Sequence, residues 1–118
     1  MATKKDDCLF CKIVDKQIPA KLVLETDDVV AFEDINPQAP CHVLVIPKEH
    51  IATNNDVEES HAEIMGKLFY AAKQVAAQKG CNEPGYRMVM NVGEAAGQTV
   101  FHVHLHVLGG RDFGWPPG

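Results

Sequence analysis

Residues His102-Val103-His104-Leu105-His106 place a histidine at every second position, with an apolar residue in each gap. Half of the chain's six histidines fall within these five residues. Alternation with period two is the pattern of a β-strand. On such a strand His102, His104 and His106 share one face, while Phe101, Val103, Leu105 and Val107 take the other. The apolar set anchors the strand in a core. The imidazoles, on the order of 7 Å apart along the backbone, form a face suited to nucleophilic, acid–base, phosphate-binding or metal-binding chemistry.

The chain of 118 residues fits one domain, with residues 1–7 as a flexible lead-in and 8–118 as the folded unit. A net charge of −5 argues against stable binding to nucleic-acid backbones. No apolar run is long enough for a membrane span. The polar N-terminus is not followed by an apolar leader segment, so a cytoplasmic location is expected, or a nuclear one in a eukaryote.

Strands are expected at 22–24, 29–32, 42–46 and 86–92, besides the histidine strand. Asp27-Asp28 makes the first hairpin turn. The near-continuous run His42-Val43-Leu44-Val45-Ile46 reads as a central strand buried on both faces. A short helix is expected over Leu9 to Val14. A long one runs from about Val57 or Ser60 to Lys79, on a stripe of Ile64, Leu68, Ala71, Ala72 and Val75 broadened by Met65, Phe69 and Ala76. Gly80 suits the position after its end. The fold class is α+β: a five-stranded, mostly antiparallel sheet with one long helix and a short N-terminal helix. Cys41 and Cys81 read as packing residues, and His61 receives no role.

The histidine face supports two chemical readings. Residues i and i+2 of a strand can reach one metal ion, which for catalysis needs a third ligand and an open position. Alternatively, a neutral imidazole attacks phosphorus while its neighbours donate to phosphate oxygens or to the leaving group. Gly97-Gln98-Thr99, just before the strand, offers close backbone approach and side-chain donors for a phosphate.

His102-Val103-His104-Leu105-His106-Val107-Leu108 resembles the signature of the histidine triad (HIT) nucleotide-binding proteins. Segments 9–13, 18–21, 31–40, 42–50 and 109–111 resemble its Hint branch, as does the terminal Trp115-Pro116-Pro117-Gly118. Gly109-Gly110 stands where the diadenosine-polyphosphate hydrolase branch continues with Pro-Arg. The resemblance implies hydrolysis of purine nucleoside phosphoramidates, releasing adenosine or guanosine monophosphate. His104 would be the nucleophile, oriented by the main-chain carbonyl of His102. His106 would contact the phosphate and His42 would support it, although a histidine at that strand end also suits a satisfied polar residue. Gly97, Gln98 and Thr99 would bind phosphate oxygens. Asp34 would accept from the ribose hydroxyls, with Asn91 nearby, although an Asp there also suits a turn. Leu9, Phe10, Ile13, Phe32 and Ile35 would sandwich the base, although apolar stripes are ordinarily core.

Cys8-Leu9-Phe10-Cys11 has metal-ligand spacing but is half a site. Some relatives with this motif complete it with a histidine of the Pro-Lys-x-His segment and the first triad histidine. Here these are His50 and His102, and the closed set implies a structural zinc rather than a cofactor for the chemistry. The resemblance also implies a homodimer in which Trp115 reaches the partner's site, in keeping with the wide helix stripe. Two further functions stay open: a nucleotide-binding regulatory or scaffold protein with incidental hydrolysis, and a metal-dependent hydrolase using the triad as ligands.

Overall fold

The computed structural model describes residues 5–118, so the first part of the expected lead-in lies outside the described residues. Lys5 to Asp7 enter a turn, closed by Cys8 N–H donating to the Lys5 carbonyl at 3.2 Å. A short helix α1 (Leu9–Val14) precedes strands β1 (Leu22–Glu25), β2 (Val29–Glu33) and β3 (Cys41–Pro47). The long helix α2 (Ala62–Gln78) is followed by β4 (Tyr86–Val89) and β5 (Leu105–Gly109). The five strands form one sheet in the order β1-β2-β3-β5-β4, and all four neighbouring pairs are antiparallel. The expected α+β class is the observed one.

Side-chain alternation divides the sheet into two chemically different faces. Cys41, Val43 and Val45 of β3 join Val29, Ala31, Leu105 and Val107 under Leu68, Ala71, Ala72 and Val75 of α2. The intervening Leu44 and Ile46, with Val30 and Phe32, pack beneath Phe10, Cys11, Ile13 and Val14 of α1. All seven residues of β3 are buried, in keeping with a sequence that is apolar apart from His42. Leu44 lies opposite His106 in the β3–β5 ladder. Direct partners in an antiparallel pair share a face, so the ladder sets His106 on the α1 side, opposite the main core.

The element ends follow from local chemistry. Gly80 has φ +78 and donates to the Ala77 carbonyl, while Cys81 N–H reaches back to Ala76 at 2.9 Å. This is the paired C-terminal bonding that glycine permits. The N-terminus differs from expectation: two 3-10 turns, Asn54–Asp56 and Glu59–His61, come before α2. The ring of His61 accepts from Glu58 N–H at 2.9 Å. His61 is therefore a cap for this turn, a role that the sequence did not disclose.

Two strands are shorter than expected. β5 begins at Leu105 instead of His102 because Val103 N–H donates to the Ile51 carbonyl at 2.7 Å, which draws residues 102–104 out of the ladder. Its neighbour β4 consequently ends at Val89, opposite His106, and Met90-Asn91-Val92 leave the sheet. Phe101 is exposed, not anchored. Among the described residues no helix is long and apolar enough to cross a membrane.

Candidate active site

The late start of β5 separates the three histidines that alternation had set on one face. The His102 ring is fully buried, with Nε2 2.8 Å from the Pro47 carbonyl. A carbonyl only accepts, so Nε2 carries the proton and Nδ1 keeps its lone pair. That lone pair faces Cys8 and Cys11. His102 therefore belongs to a second cluster, and a single ion held by all three triad rings does not fit this arrangement.

In that cluster Cys8, Cys11, His50 and His102 each offer one ligand atom, all within 4.8 Å of one another. Cys8 Sγ–His102 Nδ1, Cys11 Sγ–His50 Nδ1 and Cys11 Sγ–His102 Nδ1 measure 3.4, 3.3 and 3.5 Å. Ligand atoms around a tetrahedral zinc are separated by on the order of 3.5 Å, given its usual bond lengths. The donor set thus fits a four-coordinate metal. Main-chain N–H groups of Lys5 and Cys11 donate to the sulfurs of Cys11 and Cys8, which suits thiolates. Burial, with the neighbouring Cys8 and Asp15, pushes the Cys11 thiol up to about 11 against the lowering effect of the Lys5 N–H, so a bound cation would favour the thiolate by displacing the proton.

His104 Nδ1 lies 2.8 Å from the carbonyl of His102. By the same reasoning Nδ1 bears the proton, and the Nε2 lone pair is available. Phe10 packs edge-on against this ring with centroids 5.1 Å apart, and against Phe32 at 5.4 Å. The ring is thus clamped by one hydrogen bond and one aromatic edge. His106 is its neighbour at 5.1 Å between centroids. His106 Nδ1 lies 2.9 Å from His42 Nε2, and His42 Nδ1 accepts from Gln38 N–H at 3.0 Å. His42 Nε2 is also 3.4 Å from Asp34 Oδ2. These three side chains lie close enough to suggest a metal, but the 2.9 Å ring contact is a direct hydrogen bond.

A cavity of about 540 Å³ opens over this group. His104 and His106 line it, together with Leu9, Phe10, Ile13, Phe32, Asp34, Ile35, Asn91, Gly97 and Thr99. Leu9 and Ile35 are exposed hydrophobics, Ile35 completely so, whereas Phe10, Ile13 and Phe32 are also core. Asp34 combines its two readings: Oδ1 accepts from Asn36 N–H at 2.8 Å in a turn, and the residue still lines the cavity. Gly97 has φ +94, a conformation that glycine adopts without strain.

Two expected residues lie elsewhere. Gln98 is buried, with Nε2 donating to the carbonyls of Ala52 and Val100 and Oε1 accepting from Gly93 N–H. Both of its amide hydrogens are used, so it braces the loop, and Thr99 is the residue of this pair on the cavity. Trp115 is exposed in the C-terminal tail and does not line this cavity in its own chain. Ile18, Pro19, Ala20, Lys21, Glu33, Leu44 and Val100 also line the wall and were not expected from the sequence. The parity of Leu44 with His42 on β3 was a usable signal. Segment 18–20 carried no signal for the wall beyond ending the first helix and sharing in the family resemblance.

The HIT domain profile matches residues 15–113. The chain belongs to the HIT family. It is similar to a 14 kDa zinc-binding protein of Zea mays, 51% identical over 93% of this chain and 87% of that protein. A HIT-like protein of Synechococcus elongatus is 50% identical over 96% of this chain and 98% of its own. The crystal structure of a HIT family hydrolase from Legionella pneumophila superposes with a TM-score of 0.93, at 52% identity, covering 95% of this chain and 100% of that one. The sheet order and the single long helix are thus those of a HIT-family hydrolase structure.

Burial sets the charge state of this HIT site. It lowers His42 and His104 below the ordinary range, the latter partly offset by the hydrogen bond to the His102 carbonyl. Burial, with repulsion from His104 and His42, pushes His106 down to about 4 from 6.5. An unfolded chain therefore takes up a proton at His106 between these values that the folded chain refuses. This contribution is complete above about pH 6.5 and is lost as pH falls toward 4. We expect the urea midpoint to drop between about pH 6.5 and 5, above the main carboxylate range, and His106→Gln to flatten that slope. Superimposable slopes for variant and wild type would contradict the assignment.

Proposed function

We propose that this chain hydrolyses purine nucleoside phosphoramidates through a nucleotidyl-histidine intermediate, releasing adenosine or guanosine monophosphate. One observation carries the reading: a tautomer-fixed imidazole, His104, presents a nucleophilic nitrogen beside a second imidazole in a cavity of nucleotide size. His104 Nε2 bonds to the α-phosphorus as the P–N bond breaks, and the amine leaves with a proton. Water then cleaves the His–P bond. Two displacements replace one difficult step.

His106 and the Thr99 hydroxyl serve the phosphate oxygens. Gln98 supports them by bracing the loop. Asp34 accepts from the ribose hydroxyls and Asn91 bonds between ribose and phosphate. Leu9, Ile13, Phe32 and the exposed Ile35 hold the purine, and Phe10 joins them while it wedges His104 in place. No metal takes part in these bond changes.

Zinc is proposed for Cys8, Cys11, His50 and His102, supported by the donor geometry and by relatives named as zinc-binding proteins of Zea mays and Brassica juncea. Four protein ligands leave no open position, so the ion is structural. It would hold the residue whose carbonyl orients His104. A homodimer is proposed as well: Phe69 and Trp115 are both exposed on the chain, and Trp115 is free to approach a partner's site.

With an adenosine phosphoramidate as substrate, His104→Ala should lower kcat by more than about a thousandfold, the scale for losing a nucleophile. Equal rates in variant and wild type would defeat the mechanism. For zinc, elemental analysis of protein purified without chelator should return about one ion per chain, as a closed four-ligand site requires. Cys11→Ser should lower both metal content and melting temperature. A wild-type content far below one would defeat the zinc proposal.

A further inference from the structure

His106 sits at the end of a chain of hydrogen bonds that begins outside the cavity. Gln38 N–H points at His42 Nδ1 at 3.0 Å. A main-chain N–H only donates, so Nδ1 of His42 is the lone-pair nitrogen and the proton is on Nε2. That nitrogen faces His106 Nδ1 at 2.9 Å and Asp34 Oδ2 at 3.4 Å, both of which accept. His106 Nδ1 is thereby unprotonated, and its hydrogen lies on Nε2. This Nε2 is buried and has no partner among the described residues, on a ring that lines the cavity. A buried donor without a partner is costly, unless a ligand atom is what it serves.

Gln38 is held from the other side by the C-terminal segment. Arg111 Nε donates to the Gln38 carbonyl at 3.0 Å. The guanidinium lies over the Phe113 ring at 4.3 Å, and its Nη1 donates to the Asp112 carbonyl. Arg87 covers the same ring at 5.1 Å and donates to the Gly114 carbonyl. The loop is pinned at a further point, where Gln38 Nε2 donates to the Asn36 carbonyl.

We infer that Arg111, acting through Gln38 and His42, is a positioning residue that fixes the tautomer of His106. The consequence is a pair of adjacent rings locked in opposite tautomers. His104 keeps its proton on Nδ1 and offers a lone pair, and His106 keeps its proton on Nε2 and offers a hydrogen. In the opposite tautomer His106 would turn a lone pair on the phosphate oxygens and repel them. The catalytic part of this inference rests on the proposed hydrolysis, whereas the tautomer itself can be read without any reaction.

Two-bond ¹H–¹⁵N spectra of the full chain resolve ring nitrogens, with His106→Gln supplying the assignment. Wild type should show a protonated Nε2 and an unprotonated Nδ1 at His106. Arg111→Ala should give mixed tautomers there, with His104 unchanged. Its kcat on an adenosine phosphoramidate should fall about 10- to 100-fold, the cost of misplacing a reacting group, with KM little altered. Arg111→Lys, which can still donate to the Gln38 carbonyl, should recover part of both. If Arg111→Ala fails to fold, Gln38→Pro removes the amide donor directly and should produce the same mixture. A wild-type proton on Nδ1 would overturn the inference, as would a fall in kcat with the tautomer unchanged. A wild type that turns over no phosphoramidate would remove the proposed reaction, while the ring spectra would still decide the relay.

Discussion

The pairing of β3 with β5 is the constraint from which the rest follows. Both strands lie inside the sheet, and their direct partners share a face. Val43 and Val107 point to α2 and build the main core. Leu44 and His106 point the other way, toward α1. A slip of one residue would bury His106 under α2 and turn valines into the cavity. The apolar residues between the histidines therefore do more than separate them, because they fix which face is chemical. The second face closes only because α1, with Phe10 and Cys11, covers it.

Main-chain carbonyls then distribute the chemistry. The Pro47 carbonyl takes the proton of His102 and frees its Nδ1 for the cysteines. The His102 carbonyl takes the proton of His104 and frees its Nε2 for the cavity. One residue thus links the metal-ligand cluster and the proposed nucleophile, through its side chain on one side and its backbone on the other. A structural metal fits such a place, since it stiffens the residue whose oxygen orients the reactive ring.

The fold class, the buried central strand and the helix stripe were legible because each follows from periodicity. The paired cysteines showed in their spacing, their two distant histidine partners came from a family resemblance, and the geometry brings those four residues together. The placement of all three triad histidines on one strand face was not correct. Alternation describes a strand, and residues 102–104 leave the ladder to bond with Ile51. Nor could spacing reveal that Gln98 is consumed by Ala52, Val100 and Gly93, since all three contacts are set by tertiary folding. His61 was illegible for a related reason, because its capping of Glu58 depends on a 3-10 turn with no strong sequence mark. The relay from Arg111 joins residues 73 positions apart, a separation at which sequence pattern carries no information.

In the proposed reaction only one of three similar imidazoles becomes covalently bonded to phosphorus. Rapid acid-free quenching of wild type with an adenosine phosphoramidate, followed by mass spectrometry of the peptides, tests it directly. An adenylyl adduct is expected on His104 and none on His102 or His106. An adduct on either of the other two, or turnover without any adduct, would contradict it.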